Sequence, residues 1–278
     1  VDNESYQPII AKQHLIMTYG ICIYNTTAMK AEPRHVSEMS NQLLFGEIYE
    51  IGEQSGAWTH IKSMHDQYTG WVLSAQIVPI SDNFFRILSQ KLCIVATSMH
   101  TTINYKNKRF VIPIGSSLPL YDPLSKQGEL NDAVYTYKGK INVPKLATPL
   151  NIQMLQYAKK YLHTPYLWGG RSPFGIDCSG LTQVCAKLCN LQLNRDAYQQ
   201  AEQGTAVAQL AQAQVGDLAF FSSTPQAERI THVGIIGNKN QIIHASGMVR
   251  IDTLDEQGIF NAQSQSYSHY LKIIKRIF

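Results

Sequence analysis

The segment Leu162-His163-Thr164-Pro165-Tyr166-Leu167-Trp168-Gly169-Gly170-Arg171-Ser172-Pro173-Phe174-Gly175-Ile176-Asp177-Cys178-Ser179-Gly180-Leu181 leaves one helical pattern, crosses a Gly/Pro-rich loop and re-enters a helical pattern at a cysteine. A thiol at the start of a helix faces unpaired backbone N–H groups and the positive end of the macrodipole, and both favour thiolate over thiol. Cys178 is therefore the candidate nucleophile. Its base is sought in a hairpin pattern further on: His232-Val233-Gly234-Ile235-Ile236, a Gly237-Asn238-Lys239-Asn240 turn, then Gln241-Ile242-Ile243-His244-Ala245. A turn centred near Asn238 puts His232 and His244 opposite each other on one sheet face, with Cβ atoms about 5 Å apart. One imidazole reaching the thiol, with a second ring behind it to hold its tautomer, has the logic of nucleophile, base and orienter. His232 is assigned as base and His244 as orienter. The remaining histidines, His269 among them, show no such partner and read as ordinary surface or core residues.

The chain of 278 residues has room for two domains or three small ones. Its net charge of +4 is spread along the sequence, which excludes the basic stripe of a nucleic-acid-binding protein. No apolar run approaches the roughly 20 residues that span a bilayer. The start at Val1 rather than Met leads to the expectation of a processed, exported, periplasmic form, with the cytoplasm as the alternative. Five cysteines leave at least one free thiol. Cys185 and Cys189 fall on a helical stripe with Leu181, Val184 and Leu188. Together with Cys22 and Cys93 they read as buried small hydrophobes, not as metal ligands.

Residues 31–80 are short β-rich runs separated by turns, the pattern of a small barrel, with Trp58 and Trp71 as core. Residues 92–96, 110–114 and 117–121 read as strands of a second small β-barrel, the last limited to an edge by Pro119. Residues 144–149 read as a linker. From Asn151 an apolar helical face begins, ended by Thr164-Pro165, and a second helix runs from Cys178 to about Cys189. A strand follows Val215-Gly216-Asp217, then the histidine hairpin of residues 231–247, then a last strand over 271–278. Helices followed by an antiparallel sheet make an α+β domain. The division expected is 1–80, 81–146 and 147–278.

Asp177-Cys178-Ser179-Gly180, His232-Val233-Gly234-Ile235 and the histidine twelve residues later resemble the NlpC/P60 cysteine peptidases of bacterial cell walls, a branch of the papain-like superfamily. Tyr166, Trp168-Gly169-Gly170 and Gly216-Asp217-Leu218 extend the resemblance. Ala31-Glu32-Pro33, Leu44-Phe45-Gly46-Glu47, Trp58 and Asp66-Gln67-Tyr68-Thr69-Gly70-Trp71 resemble a bacterial SH3-like domain. The resemblance implies two small all-β SH3-like barrels followed by an α+β papain-like catalytic domain, with no cofactor and no metal. It implies Cys178 as nucleophile, His232 as base and His244 as third member of a triad. The implied reaction is hydrolysis of the bond between γ-D-Glu and a diamino acid, diaminopimelate or Lys, in murein peptides with a free N-terminal L-Ala. In such a peptidase Tyr68 helps hold the L-Ala amine, Asp177 is its anionic partner and Ser179 lies near the D-Glu carboxylate. Tyr166 would hydrogen-bond in the oxyanion region, and Glu32 would add a second acidic contact. Arg171 would pair with a substrate carboxylate or brace its own loop. Asn194-Arg195-Asp196 departs from the family, which more often has Pro before the Arg, and Ala197-Tyr198 replaces small hydroxyl residues. Two other readings stand beside this one: a wall-binding module, and an amidase or transferase on the same fold.

Overall fold

The computed structural model describes residues 18–142, 148–238 and 240–278. Short runs rich in β-branched and aromatic residues, broken at turn residues, become β1 (Thr18–Ile21), β2 (Thr26–Lys30), β3 (Met39–Leu44), β4 (Ile48–Ser55), β5 (Trp58–Ser63), β6 (Thr69–Leu73) and β7 (Pro79–Ile80). They form one antiparallel sheet in the order β3-β2-β6-β5-β4-β1-β7, wrapped around Cys22, Met29, Leu43, Tyr49, Ile61 and Val72. Trp58 is buried, and the partly exposed Trp71 meets the His60 ring edge-on at 5.1 Å.

Helix α1 (Asp82–Ser89) starts where the Ser81 side chain accepts a hydrogen bond from the Phe84 N–H. The second β unit holds β8 (Ile94–Val95), β9 (His100–Tyr105), β10 (Lys108–Pro113), β11 (Ser117–Leu118), β12 (Gln127–Leu130) and β13 (Ala133–Tyr137). Four of these form a sheet in the order β10-β9-β13-β12, and β8 pairs with β11. Cys93 lies just ahead of β8 and is exposed, against the expectation of burial. Ile21, Phe45 and Ile80 of the first unit share a core with Ile103, Ile112 and Tyr135 of the second, so one apolar cluster joins the two units. Residues 144–147 of the expected linker, and the boundary at 146, lie outside the described residues.

The last region begins with α2 (Leu150–Lys160), the short hairpin β14 (Arg171–Ser172) and β15 (Gly175–Ile176), and α3 (Cys178–Leu188). After α4 (Ala197–Gln200) come β16 (Thr205–Val207), β17 (Leu218–Ser222), β18 (His232–Ile236), β19 (Gln241–Ser246), β20 (Met248–Leu254), β21 (Gly258–Asn261) and β22 (Ser266–Arg276). Their order is β16-β22-β17-β18-β19-β20-β21, and β21 also pairs with β22, so β17–β22 close on themselves. The final strand therefore starts at Ser266, earlier than the expected residue 271, and takes in His269.

Every residue of α3 is buried. One side packs on the closed sheet through Leu181, Val184, Val233 and Ile243. The other meets the first β unit, where Gln183 donates to Asp66 at 2.9 Å and Lys187 to Glu47 at 2.7 Å. Among the described residues no helix is long and apolar enough to cross a membrane.

Candidate active site

Cys178 opens α3, and Asp177 is its N-cap, accepting from the Gly180 N–H at 2.6 Å. Asp177 also accepts from the Gly169 N–H at 2.8 Å, which ties the preceding loop to the helix start. That loop runs against the first β unit so closely that a Cβ on Gly169, whose φ is +75°, would lie 2.2 Å from the Met39 carbonyl oxygen. The thiol is buried, and the Val233 N–H points at Sγ, which sets it beside the residue that follows His232. Burial first, and then the Asp177 carboxylate, push the Cys178 thiol up to about 12, against the pull of the Val233 amide and Arg195. The thiolate preference expected from a helix start is thus outweighed by desolvation. Burial, with His269 and His244 adding to it, holds His232 well below the ordinary histidine value. Ionising either group alone strands a net charge in the interior, whereas moving a proton from Sγ to the imidazole leaves the net charge unchanged.

His232 Nε2 and His244 Nδ1 are 2.8 Å apart. The hairpin register differs from the expected one: Gly234, not His232, faces His244, and Ile236 faces Ile242. The shift preserves the face, so His232 becomes the diagonal neighbour of His244, still within reach. Gly234 makes the diagonal contact possible, since a Cβ there would lie 3.0 Å from that of His244 and 2.7 Å from Ile242. Beyond the pair, His244 Nε2 lies 2.9 Å from Asp252 Oδ2, and Arg250 Nη2 donates to Asp252 Oδ1 at 2.8 Å. Hydrogen bonds from His244 and Arg250 outweigh burial and hold the Asp252 carboxyl below its ordinary range.

His269 stacks on His232, ring centroids 3.9 Å apart and planes 22° from parallel. Burial, followed by His244, lowers it to about 4. Neither His269 nor Asp252 was singled out from the sequence. Starting the last strand at 271 left His269 outside it, and Asp252 is found only by extending the hairpin to a third strand. Ring nitrogens of His232, His244 and His269 all lie within 4.8 Å of one another. His232 and His244 are joined by a hydrogen bond, whereas His269 meets His232 through ring stacking.

On the other side of Asp177, Arg195 is wholly buried and binds both Asp177 oxygens, the Ser179 hydroxyl at 2.9 Å and the Asn41 side-chain oxygen at 2.9 Å. Asp177 and Ser179 are therefore joined to the first β unit through one guanidinium. Asn194 and Asp196, flanking Arg195, line a polar cavity of about 590 Å³ with Glu38, Ser40, Asp66 and Tyr68. Burial raises the Asp196 carboxyl and the Tyr68 phenol. Tyr166 is half-buried, and burial, Cys178 and Asp177 all push its phenol upward, which puts the ring near the thiol.

Two expected site residues are elsewhere. Arg171 is wholly buried and donates to Glu47 at 2.8 and 2.9 Å, so it braces the domain interface and offers nothing to a substrate carboxylate. Glu32 is mostly exposed, pairs with Arg34 at 2.6 Å and is not part of the cavity wall, where Glu38 stands instead.

Residues 163–267 match the NlpC/P60 family and residues 30–77 the bacterial dipeptidyl-peptidase Sh3 domain. The chain is 35% identical over 140 residues to a probable endopeptidase of Haemophilus influenzae, covering 50% of this chain and 82% of that protein. It is 25% identical over 234 residues to a γ-D-glutamyl-L-lysine dipeptidyl-peptidase of Bacillus cereus, covering 76% of this chain and 68% of the relative. The crystal structure of an NlpC/P60 family protein from Bacillus cereus superposes with a TM-score of 0.79 at 18% identity, over 93% of this chain and 99% of that one.

Proposed function

The chain belongs to the NlpC/P60 family of cysteine peptidases, and from that footing we propose that it hydrolyses the γ-D-Glu–diamino acid bond of murein peptides bearing a free N-terminal L-Ala. Cys178 is the nucleophile, His232 the base and His244 its orienter. The Cys178 proton passes to His232 as Sγ attacks the γ-carbonyl carbon of D-Glu. Backbone N–H groups at the start of α3, with Tyr166 nearby, face the developing oxyanion. The imidazolium then protonates the departing amine of the diamino acid, leaving a thioester. Water, deprotonated by the same imidazole, hydrolyses the thioester and restores the thiol.

The observation that carries the substrate reading is the polar cavity shared by the first β unit and the catalytic domain, with Glu38, Tyr68 and Asp196 in its wall. An N-terminal ammonium placed there is matched by carboxylates. An acylated N terminus brings no charge and leaves them desolvated and unpaired. Asp177 adds to this field, although Arg195 already neutralises much of its charge. The name of the Bacillus cereus relative, a γ-D-glutamyl-L-lysine dipeptidyl-peptidase, supports the same bond.

The test is incubation with L-Ala-γ-D-Glu-diaminopimelate, its lysine counterpart and the N-acetylated form of each, with products identified by mass spectrometry. Release of the diamino acid from the free-amine peptides alone is expected. Equal cleavage of the acetylated peptides would remove the cavity's role. Turnover by a Cys178→Ala protein would overturn the assignment of the nucleophile.

A further inference from the structure

We propose that Asp252 is a positioning residue that fixes the tautomers of both His232 and His244, an inference that rests on Cys178 and His232 acting as nucleophile and base. The three residues stand on adjacent strands β18, β19 and β20 of the closed sheet. Gly234 and Arg250 occupy the positions directly across from His244, and Ile242 the one across from Asp252. His232, His244 and Asp252 therefore share one face and form a diagonal row, each two residues off the direct pairing.

The chemistry of the row has one direction. Arg250 approaches both Asp252 oxygens, with Nε 2.7 Å from Oδ2 and Nη2 2.8 Å from Oδ1. A carboxylate held this way has no proton to give, so it only accepts. The 2.9 Å contact with His244 then requires the proton on His244 Nε2. In its neutral form His244 carries one N–H, and with that proton on Nε2 its Nδ1 presents a lone pair. That lone pair, 2.8 Å from His232 Nε2, requires the proton of His232 on Nε2. His232 Nδ1 is left as the ring nitrogen with a lone pair for the thiol proton. Without the carboxylate, His244 is free to carry its proton on Nδ1 and donate to His232. His232 would then hold its single proton on Nδ1 and meet the thiol with no acceptor. The orientation of the whole relay is in this way set 8 residues downstream of His244, by a side chain that touches neither thiol nor substrate.

The test uses the full chain labelled with ¹⁵N in its histidine rings, read by long-range ¹H–¹⁵N correlation without substrate, together with steady-state kinetics. In the wild type both His232 and His244 are expected as Nε2–H tautomers. In Asp252→Ala both rings are expected to become tautomer mixtures. In the same variant kcat is expected to fall between about 10- and 1,000-fold, with KM changed less than about 3-fold. Asp252→Glu restores the wild-type ring pattern and part of kcat. If Asp252→Ala loses its cooperative melt, Asp252→Val, which suits a strand, is read the same way. Wild-type rings in the Nδ1–H form, or unchanged tautomers in the folded variant, overturn the proposal. A wild type with the expected rings and no peptide cleavage overturns the peptidase reading alone and leaves the effect of Asp252 on the rings standing.

Discussion

Arg171, seven residues before the nucleophile, is wholly buried in the peptidase domain and forms a two-pronged ion pair with Glu47 of the first β unit. Lys187, from the last turn of α3, binds the same carboxylate at 2.7 Å. One acidic side chain therefore ties both ends of the nucleophile's neighbourhood to another domain.

Glu47→Ala leaves two buried cations without their partner and is expected to cost about 3–5 kcal/mol of stability. Arg171 and Lys187 outweigh burial and hold the Glu47 carboxyl well below its ordinary value of 4.5. Its stabilising contribution is therefore complete above that pH and is lost as the pH falls below it. Chemical denaturation at pH 7 and pH 3 reads both effects. A loss under about 1 kcal/mol at pH 7 would mean that the pair contributes little.

The thiol–imidazole pair predicts a broad pH profile. With His232 held low and Cys178 high, the acid limb of kcat/KM lies below 6.5 and the alkaline limb above 9.0. His269→Ala opens the stacked face to water and removes a ring that disfavours the His232 imidazolium, so the His232 value rises and the acid limb moves toward 6.5. An unmoved acid limb in this variant would deny His269 any part in setting the base.

Gly234→Ala places a methyl group 2.7 Å from Ile242 and 3.0 Å from the His244 Cβ, which forces His244 away from His232. A fall in kcat of about 10-fold is expected, with a stability loss of about 1–3 kcal/mol. Kinetics and a thermal melt on the same preparation separate the two.

Tyr68→Phe and Glu38→Gln act at the cavity wall, whose lining does not include Cys178. Each is expected to raise KM for the free-amine peptide about 3- to 30-fold and to leave kcat nearly unchanged. An equal change for the N-acetylated peptide would mean that neither residue reads the amine.

The cysteine at a helix start and the two histidines on one face were legible because each depends on a short-range period, 3.6 for the helix and 2 for the strands. A register two residues off still left both rings on that face, so the pairing tolerated the error. Asp252, His269 and Glu38 were not legible, since each joins the site through a tertiary relationship. Asp252 needs the third strand, His269 needs the closing strand brought back to β17 and β21, and Glu38 needs the first β unit docked on α3. The partner of Arg171 was not legible for a related reason. A loop arginine before a nucleophile offers no local sign that its partner lies 124 residues earlier in the chain.

The closed run of strands β17–β22 has a mechanical consequence for the relay. In an open sheet, an edge strand can fray and slide by two residues while keeping its side chains on the same face. Here His232, His244 and Asp252 ride on strands that each have a partner on both sides, and the ring is sealed by β21 on β22. Slippage of any one of them requires breaking two ladders at once. Amide hydrogens of β18 and β19 are accordingly expected to exchange only through global opening of the domain. The nitrogen atoms of the relay then keep their spacing for as long as the domain stays folded.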